Sequence, residues 1–296
     1  MHDENIVLAG QEISADALDR LSRIRGFVFD MDGTLVLGDE RNHGLKPLPG
    51  ALEITHWLTE HDIPFAVFTN GSTRPPEDYA AMLRKVGFSL PGEAMMTPAS
   101  SAVDLFVQRG YKRVLVLGGD GLAMPLRKAG IEVVAPVGKP QADAVLIGWY
   151  REFTMNNLEA ACYAVWGGAQ VYSSSQAMFF ATAGGKTLGT SRAISAMLKD
   201  LTGCRVHVVG KPSIYSLSAA GRRLGVRLKD MAVVGDDPVL EVPMAHRGKS
   251  MAIAVNTGLG DAGSFAHLPP EQWPHLTVHG VGELLGLLKD QAARRN

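Results

Sequence analysis

The sequence predicts an α/β protein built on a parallel β-sheet, and three observations support this prediction. Short apolar runs rich in β-branched and aromatic residues alternate with segments of helical periodicity. Several runs are apolar throughout, which is typical of strands buried on both faces of a sheet. Polar or charged residues follow directly after four of the runs. Strands that alternate with helices imply right-handed crossovers, so the carboxyl ends of such strands meet at one edge of the sheet.

The individual elements follow from these patterns in chain order. Ser14 is the expected N-cap of the first helix. The predicted strands cover residues 27–30, 64–68, 113–117, 142–148, 170–172, 206–209, 231–234, 251–255 and 276–278. The predicted helices cover residues 14–24, 51–61, 75–86, 98–108, 154–166, 191–201, 213–224 and 281–293. The segment 35–49 is expected to be a loop.

The composition limits the classes of function. Of the 296 residues, 46% are hydrophobic and 20% are charged, which is enough for a core of one large domain or two ordinary ones. The formal net charge of −1 gives no electrostatic footprint for nucleic acid or an anionic membrane surface. Two cysteines are too few for a disulfide framework. Because no signal run or membrane-spanning stretch is recognisable, a cytoplasmic protein is expected.

The end of the first strand carries the strongest candidate site. Asp30 and Asp32 are separated by one residue and are followed by Gly33 and Thr34. Period-2 alternation points both carboxylates to one side of the chain, and two acids this close need a cation or a proton. Mg²⁺ meets that need because it prefers oxygen ligands. A polar turn after a strand stays open as an alternative, since Asp-Gly is also a turn signal.

Three further strand ends carry groups that are capable of chemistry. They are Thr69, Asn70 and Gly71 after the second strand, Lys211 after the strand 206–209, and Asp236 and Asp237 after the strand 231–234. Hydroxyl and backbone N–H groups suit phosphoryl oxygens, although Asn-Gly is also ordinary turn chemistry. A lysine at the end of a buried strand is hard to explain by packing. The parallel sheet predicts that all four strand ends meet at one edge.

This pattern resembles the haloacid dehalogenase superfamily of phosphohydrolases, from residue 26 to about residue 258. It is most similar to the branch of NagD-type nucleotide phosphatases, 4-nitrophenyl phosphatases, phosphoglycolate phosphatases and pyridoxal phosphate phosphatases. The matching segments are 30–34 for the first motif, 69–72 for the second, 210–213 for the third, and 143–154 for a cap segment.

The chain departs from the family pattern at two positions. Many relatives have Asn where Gly71 stands. In the fourth motif Asp236 keeps the metal position, while Glu241 stands where the second acid is usually Asp. Glutamate is longer by one methylene, so Glu241 reaches the metal shell either directly or through water. Asp237 and Glu241 are therefore candidates for the residues that surround the metal ligands.

The resemblance implies a Mg²⁺-dependent phosphatase that hydrolyses small phosphorylated metabolites through an aspartyl-phosphate intermediate. Asp30 would be the nucleophile and Asp32 the general acid and base. The implied catalytic residues are Asp30, Asp32, Thr69 and Lys211, and the implied phosphate-binding residues are Thr69, Asn70, Gly71 and Lys211. The implied Mg²⁺ ligands are Asp30, Asp32 through its backbone carbonyl, and Asp236.

The resemblance also implies a Rossmann-like core with an inserted α/β cap. The core would comprise residues 1–109 and 205–296, and the cap residues 110–204. The cap would select the substrate, with candidate residues in the stretch 173–190. Caps of this branch often pair, which implies a homodimer.

Two alternatives stay open. One is phosphotransfer to another alcohol on the same fold. The other is a catalytically weak or inactive phosphatase-like binding protein, since a fold does not fix a function. The altered fourth motif favours the second, whereas the presence of Asp30, Asp32 and Lys211 argues against it. A haloalkanoate dehalogenase is disfavoured because its chemistry needs neither an acid at position 32 nor a phosphate-binding lysine.

Overall fold

The computed structural model describes residues 13–38, 45–182, 185–257 and 269–295, which form two compact units. The described residues of the first unit fall in Met1–Thr69, Ala80–Met95 and Ala220–Asn296, and those of the second in Asn70–Tyr79 and Met96–Ala219. The predicted cap, residues 110–204, lies within the second unit. Its function as a cap stays a prediction.

The secondary structure follows the alternation that the sequence predicts. In chain order the strands are β1 (Gly26–Asp30), β2 (Val36–Gly38), β3 (Leu45–Pro47), β4 (Phe65–Phe68), β5 (Met95–Met96), β6 (Arg113–Leu117), β7 (Glu132–Val134), β8 (Ala144–Ile147), β9 (Gln170–Ser173), β10 (Phe179–Thr182), β11 (Gly185–Leu188), β12 (Val206–Val208), β13 (Met231–Gly235), β14 (Met251–Val255) and β15 (Leu276–Val278). The helices are α1 (Ala15–Ser22), α2 (Ala51–Glu60), α3 (Pro76–Lys85), α4 (Pro98–Gln108), α5 (Asp120–Lys128), α6 (Met155–Trp166), α7 (Thr190–Thr202), α8 (Ile214–Leu224), α9 (Glu241–Gly248) and α10 (Val281–Arg295).

The main sheet of the first unit has the strand order β15-β14-β13-β1-β4-β5. β1 lies in the interior and pairs in parallel with both β13 and β4. Phe29 is paired with Val234 on one side and with Val67 on the other, so the three strands end side by side. β1, β4 and β13 are buried along their whole length, as their continuous apolar runs predict.

The second unit contains its own parallel sheet, in the order β12-β9-β8-β6-β7. Its helices α4 to α7 alternate with these strands along the chain. Apolar side chains of the strands and helices pack into two clusters, one with Phe106 and Tyr172 and the other with Leu115 and Ile147. The prediction of a parallel α/β core with an inserted α/β part is confirmed.

Two local predictions are wrong. The segment 35–49, expected to be a loop, contains β2 and β3, which pair antiparallel. Strands of three residues are too short to show a clear alternation of apolar and polar positions. The strand that precedes Lys211, β12, pairs with β9 in the second sheet. The four strand ends with candidate residues are therefore not all on one sheet edge.

The first helix begins as predicted, because the Ser14 side chain accepts a hydrogen bond from the Ala17 N–H at 3.1 Å. Among the residues described above, no helix has the length and apolar character needed to cross a bilayer.

Candidate active site

Asp30 and Asp32 lie in very different surroundings although one residue separates them. Asp30 is the last residue of β1 and is only 7% exposed. Its Oδ2 accepts a hydrogen bond from the Thr34 hydroxyl at 3.3 Å, and Thr34 is fully buried. Asp32 lies in the turn after β1 and is exposed. Two carboxylates in one turn, one buried and one exposed, are suited to different chemical roles.

The turn after β1 is tight and closely hydrogen-bonded. The N–H groups of Leu35 and Val36 both donate to the Met31 carbonyl at 3.0 Å, and the Gly33 N–H donates to the Val36 carbonyl at 2.8 Å. These bonds fix the backbone on both sides of Asp32. Its position therefore follows from the backbone of the turn.

Thr69 connects this turn to the end of β4. It follows β4, is only 4% exposed, and its hydroxyl donates to Asp32 Oδ2 at 3.4 Å. Asp32 and Thr69 were both predicted to be site residues, and the structure brings their side chains together.

Asp236 connects the same turn to the end of β13. Its carboxylate is 4% exposed and lies against the backbone of Gly33, which has a φ of +87°. A β-carbon on residue 33 would be 2.7 Å from Cγ of Asp236, so only glycine fits there. The Thr257 hydroxyl donates to the Gly33 carbonyl at 2.6 Å. Three neighbouring strand ends thus contribute to one cluster that contains Asp30, Asp32, Thr69 and Asp236.

Asp237 and Glu241 shape the loop that carries Asp236. Glu241 is the first residue of α9 and is 1% exposed. Its Oε2 accepts a hydrogen bond from the Asp237 N–H at 3.2 Å, and its side chain packs on Gly235. The Asp237 carboxylate accepts from the Val239 N–H at 2.8 Å, as in an Asx turn.

Asn70 and Lys211 are brought together in the second unit. Asn70 Oδ1 accepts a hydrogen bond from the Lys211 N–H at 2.7 Å, and Asn70 Nδ2 donates to the Lys211 carbonyl at 3.1 Å. Lys211 is 3% exposed, and Gly71 is half-buried. The predicted site residues therefore fall into two groups, one in each unit.

Sequence reasoning missed Thr257, and it included Gly210 only as part of the segment 210–213 that matches the third motif. Thr257 follows β14, the strand beside β13, so the rule that identified the other polar strand ends also applies to it. Gly210 lies against Asn70 and the Ser174 carbonyl, and a β-carbon on it would be 2.6 Å from Asn70 Oδ1. The motif match does not show that Gly210 contacts Asn70, because the two residues are distant in the sequence.

The cluster in the first unit fits a hard divalent cation. The predicted ligands, Asp30, the Asp32 carbonyl and Asp236, supply only oxygen, which is what Mg²⁺ prefers. Within the described ranges, no group of three or more His, Cys, Asp or Glu side chains is arranged to hold a metal. The predicted set needs only two carboxylate side chains, because its third ligand is a backbone oxygen.

Comparisons with known proteins identify the family. A sequence profile of haloacid dehalogenase-like hydrolases matches residues 27–132, and a second profile, described as HAD-hydrolase-like, matches residues 208–284. Chronophin from Mus musculus is 28% identical over 293 residues, which cover 92% of this chain and 96% of chronophin. Ribonucleotide monophosphatase NagD from Escherichia coli K12 is 23% identical over 83% of this chain and 93% of its own.

Among solved structures, 4-nitrophenylphosphatase from Thermotoga maritima superposes with a TM-score of 0.79. It is 26% identical and the superposition covers 90% of this chain and 98% of that one. The family predicted from the four strand ends is confirmed, and so is the prediction of a phosphatase of that family. The chain belongs to the haloacid dehalogenase-like hydrolases, in the branch that contains NagD and the 4-nitrophenylphosphatases.

Proposed function

We propose that this protein hydrolyses small phosphomonoesters through an aspartyl-phosphate at Asp30, with Mg²⁺ as its cofactor. The observation that carries the proposal is the cluster at three strand ends. It combines a buried Asp30, an exposed Asp32 bonded to the Thr69 hydroxyl, and Asp236 against Gly33. The relatives named as phosphatases support the reaction class.

In the first step, a carboxylate oxygen of Asp30 attacks the phosphorus in line. A new oxygen–phosphorus bond forms as the bond to the leaving oxygen breaks, and Asp32 donates a proton to that oxygen. Buried Asp30, held by Thr34, is suited to a fixed nucleophile. Exposed Asp32 is suited to exchanging protons with substrate and water.

In the second step, Asp32 accepts a proton from a water molecule, whose oxygen attacks the phosphorus. The bond between phosphorus and the Asp30 oxygen breaks, so inorganic phosphate leaves and the Asp30 carboxylate is restored. One water is consumed and the enzyme returns to its starting state. Before substrate binds, the Thr69 hydroxyl donates to Asp32 Oδ2, which places this carboxylate beside the end of β4.

Phosphoryl transfer depends mainly on positioning and on neutralising charge. The Lys211 ammonium, the Thr69 hydroxyl and the backbone N–H groups of Asn70 and Gly71 are the proposed partners of the phosphoryl oxygens. Asp30, the Asp32 carbonyl and Asp236 would hold Mg²⁺, which when bound offsets the negative charge of phosphate and carboxylate.

The substrate is a small phosphorylated metabolite in this proposal, with residues 110–204 acting as the cap that selects it. The named relatives include a ribonucleotide monophosphatase and a 4-nitrophenylphosphatase, so the branch does not fix one leaving group. Pairing through residues 110–204 to form a homodimer, and a cytoplasmic location, complete the proposal.

The test is phosphate release from 4-nitrophenyl phosphate by the purified protein. We expect release with Mg²⁺ and none with EDTA, and restored release when Mg²⁺ is added back. An arm with added glycerol measures transfer to an alcohol. Release that is insensitive to EDTA would contradict the metal requirement, and glycerol phosphate as the main product would favour a phosphotransferase.

A further inference from the structure

We infer that the Asn70 side chain is a positioning residue that holds Lys211 in its phosphate-binding place. This inference rests on the proposed function, because Lys211 is there the cationic partner of the phosphoryl group. Asn70 and Lys211 are 141 residues apart in the sequence, but both lie in the second unit.

Both ends of the Asn70 amide are engaged by one residue. Oδ1 accepts the Lys211 N–H at 2.7 Å, and Nδ2 donates to the Lys211 carbonyl at 3.1 Å. A residue in a β-sheet likewise donates its N–H and accepts at its carbonyl, but here the partner is a side chain. Two bonds on one residue fix both the position of its backbone and its orientation, whereas one bond would leave rotation free.

The packing beside this pair is equally close. Gly210 precedes Lys211, and a β-carbon on it would be 2.6 Å from Asn70 Oδ1 and would also contact the Ser174 carbonyl. The Val209 N–H donates to the Ser173 carbonyl at 2.9 Å, so the residues just before Lys211 are hydrogen-bonded to the end of β9. The chain around Lys211 is therefore closely packed, and the Asn70 side chain makes two hydrogen bonds to the Lys211 backbone.

The segment that carries Asn70 is itself anchored in the second unit. The Ser72 hydroxyl accepts the Trp149 N–H at 2.9 Å, and Glu77 forms an ion pair with Lys128 at 2.6 Å. The bond at Ser72 holds the chain two residues after Asn70 against the second unit, whereas the exposed ion pair contributes little. Lys211 is 3% exposed, so a shift of its backbone cannot be absorbed by a freely moving side chain.

The same segment begins directly after Thr69, another proposed phosphate partner. The inference assigns the Asn70 backbone and the Asn70 side chain two different tasks. The backbone N–H binds phosphate in the proposed function, while the side chain sets where the Lys211 ammonium lies. A misplacement of about 1 Å in such a group can cost about 10²-fold in rate.

The test is a double-mutant cycle of wild type, Asn70→Ala, Lys211→Ala and the double variant. We measure kcat/KM for 4-nitrophenyl phosphate and, by calorimetry, binding of inorganic phosphate in the presence of Mg²⁺. Asn70→Ala is expected to lower kcat/KM by roughly 10-fold or more, and to weaken phosphate binding. In the Lys211→Ala background it is expected to cause no further loss, because the group that it positions is absent.

Asn157→Ala is the matched control. In the same unit, Asn157 Oδ1 accepts the Thr154 N–H at 2.9 Å and Nδ2 donates to the Pro136 carbonyl at 3.1 Å. This variant also loses two bonds between a side chain and the backbone, and is expected to leave kcat/KM unchanged. If Asn70→Ala does not fold, Asn70→Asp replaces it, since it keeps the shape and lacks the donor to the Lys211 carbonyl.

The outcomes separate this inference from the function on which it rests. Equal losses from Asn70→Ala in both backgrounds, or no loss in the wild-type background, overturn the inference alone. Full activity and full phosphate binding of Lys211→Ala overturn both the proposed role of Lys211 and the inference.

Discussion

The carboxylate of Asp236 lies so close to Gly33 that a β-carbon on residue 33 would be 2.7 Å from its Cγ. Residue 33 also has a φ of +87°, a conformation that costs other residues about 1–3 kcal/mol. Asp236 directly follows β13, and Gly33 lies in the turn after β1, the neighbouring strand. This contact joins the turn of Asp30 and Asp32 to the fourth motif of the chain.

Gly33→Ala is therefore expected to reduce phosphatase activity far more than it reduces folding. The added methyl group pushes the Asp236 carboxylate away from the turn, which displaces a proposed Mg²⁺ ligand. The measurement is activity as a function of Mg²⁺ concentration, together with urea unfolding. The control is Gly92→Ala, because a β-carbon on Gly92 has no neighbour within 4 Å. An unchanged Mg²⁺ requirement in Gly33→Ala would contradict the role of this contact.

Glu241 is expected to act through its hydrogen bond to the Asp237 N–H rather than through its charge. Glu241→Gln keeps an oxygen that can accept this bond, so it should retain most of the stability and activity. Glu241→Ala leaves the part-buried Asp237 N–H without that acceptor and should cost about 1 kcal/mol in the free energy of unfolding. Urea unfolding and the Mg²⁺ dependence of activity measure the two effects. If Glu241→Gln shifts the Mg²⁺ dependence of activity as much as Glu241→Ala does, the charge of Glu241 acts on the metal and the prediction is wrong.

Asp32→Asn is expected to separate the two steps of the reaction. 4-Nitrophenolate leaves without help from an acid, so the first step should survive and give a burst of one product per enzyme. The second step needs a base and should slow by about 10²-fold or more. Stopped-flow absorbance measures the burst, and Asp30→Asn is the control because it should give none. If Asp32→Asn loses steady-state activity and shows no burst, the loss is not in the second step, which would contradict the role of Asp32 there.

His275 gives the first unit a dependence of stability on pH that is separate from catalysis. Its Nδ1 accepts the Ala252 N–H at 2.8 Å, and burial, then the nearby Arg20 and His246, lower its pKa from 6.5 to about 4. The fold favours neutral His275, so its contribution is complete above pH 6.5 and is lost as the pH falls towards 4. Urea unfolding across this range should show a smaller pH dependence in His275→Asn than in wild type. The exposed His56, changed to Asn, is the control, and an equal effect of both variants would contradict the assignment.

The sequence predicts the first cluster well because each of its residues lies at the end of a buried strand or within two residues after it. Asp30, Thr69 and Asp236 lie at the ends of β1, β4 and β13, and these strands are neighbours in the sheet. Thr257 obeys the same rule at the end of β14. An apolar run followed by polar residues is a local signal, and parallel pairing then brings the strand ends together.

Other features depend on contacts that no local pattern specifies. The run 206–209 predicts a strand, yet nothing in it indicates that β12 pairs with β9 rather than with β1. α5 is missing from the predicted helices, and the structure shows that Pro125 lies inside it, although proline ordinarily interrupts a helix. The bonds from Asn70 to Lys211 depend on where two distant segments meet.

The most direct test of the central claim is chemical trapping of the intermediate on Asp30. Borohydride reduces an acyl phosphate to an alcohol, so reduction during turnover of 4-nitrophenyl phosphate should convert Asp30 to homoserine. Peptide mass spectrometry identifies the site, and using Asp32→Asn should increase the trapped fraction because the second step is slower. We expect homoserine at position 30 and at no other aspartate. Turnover that yields no modified Asp30 in either protein, with activity retained in Asp30→Asn, would contradict the account.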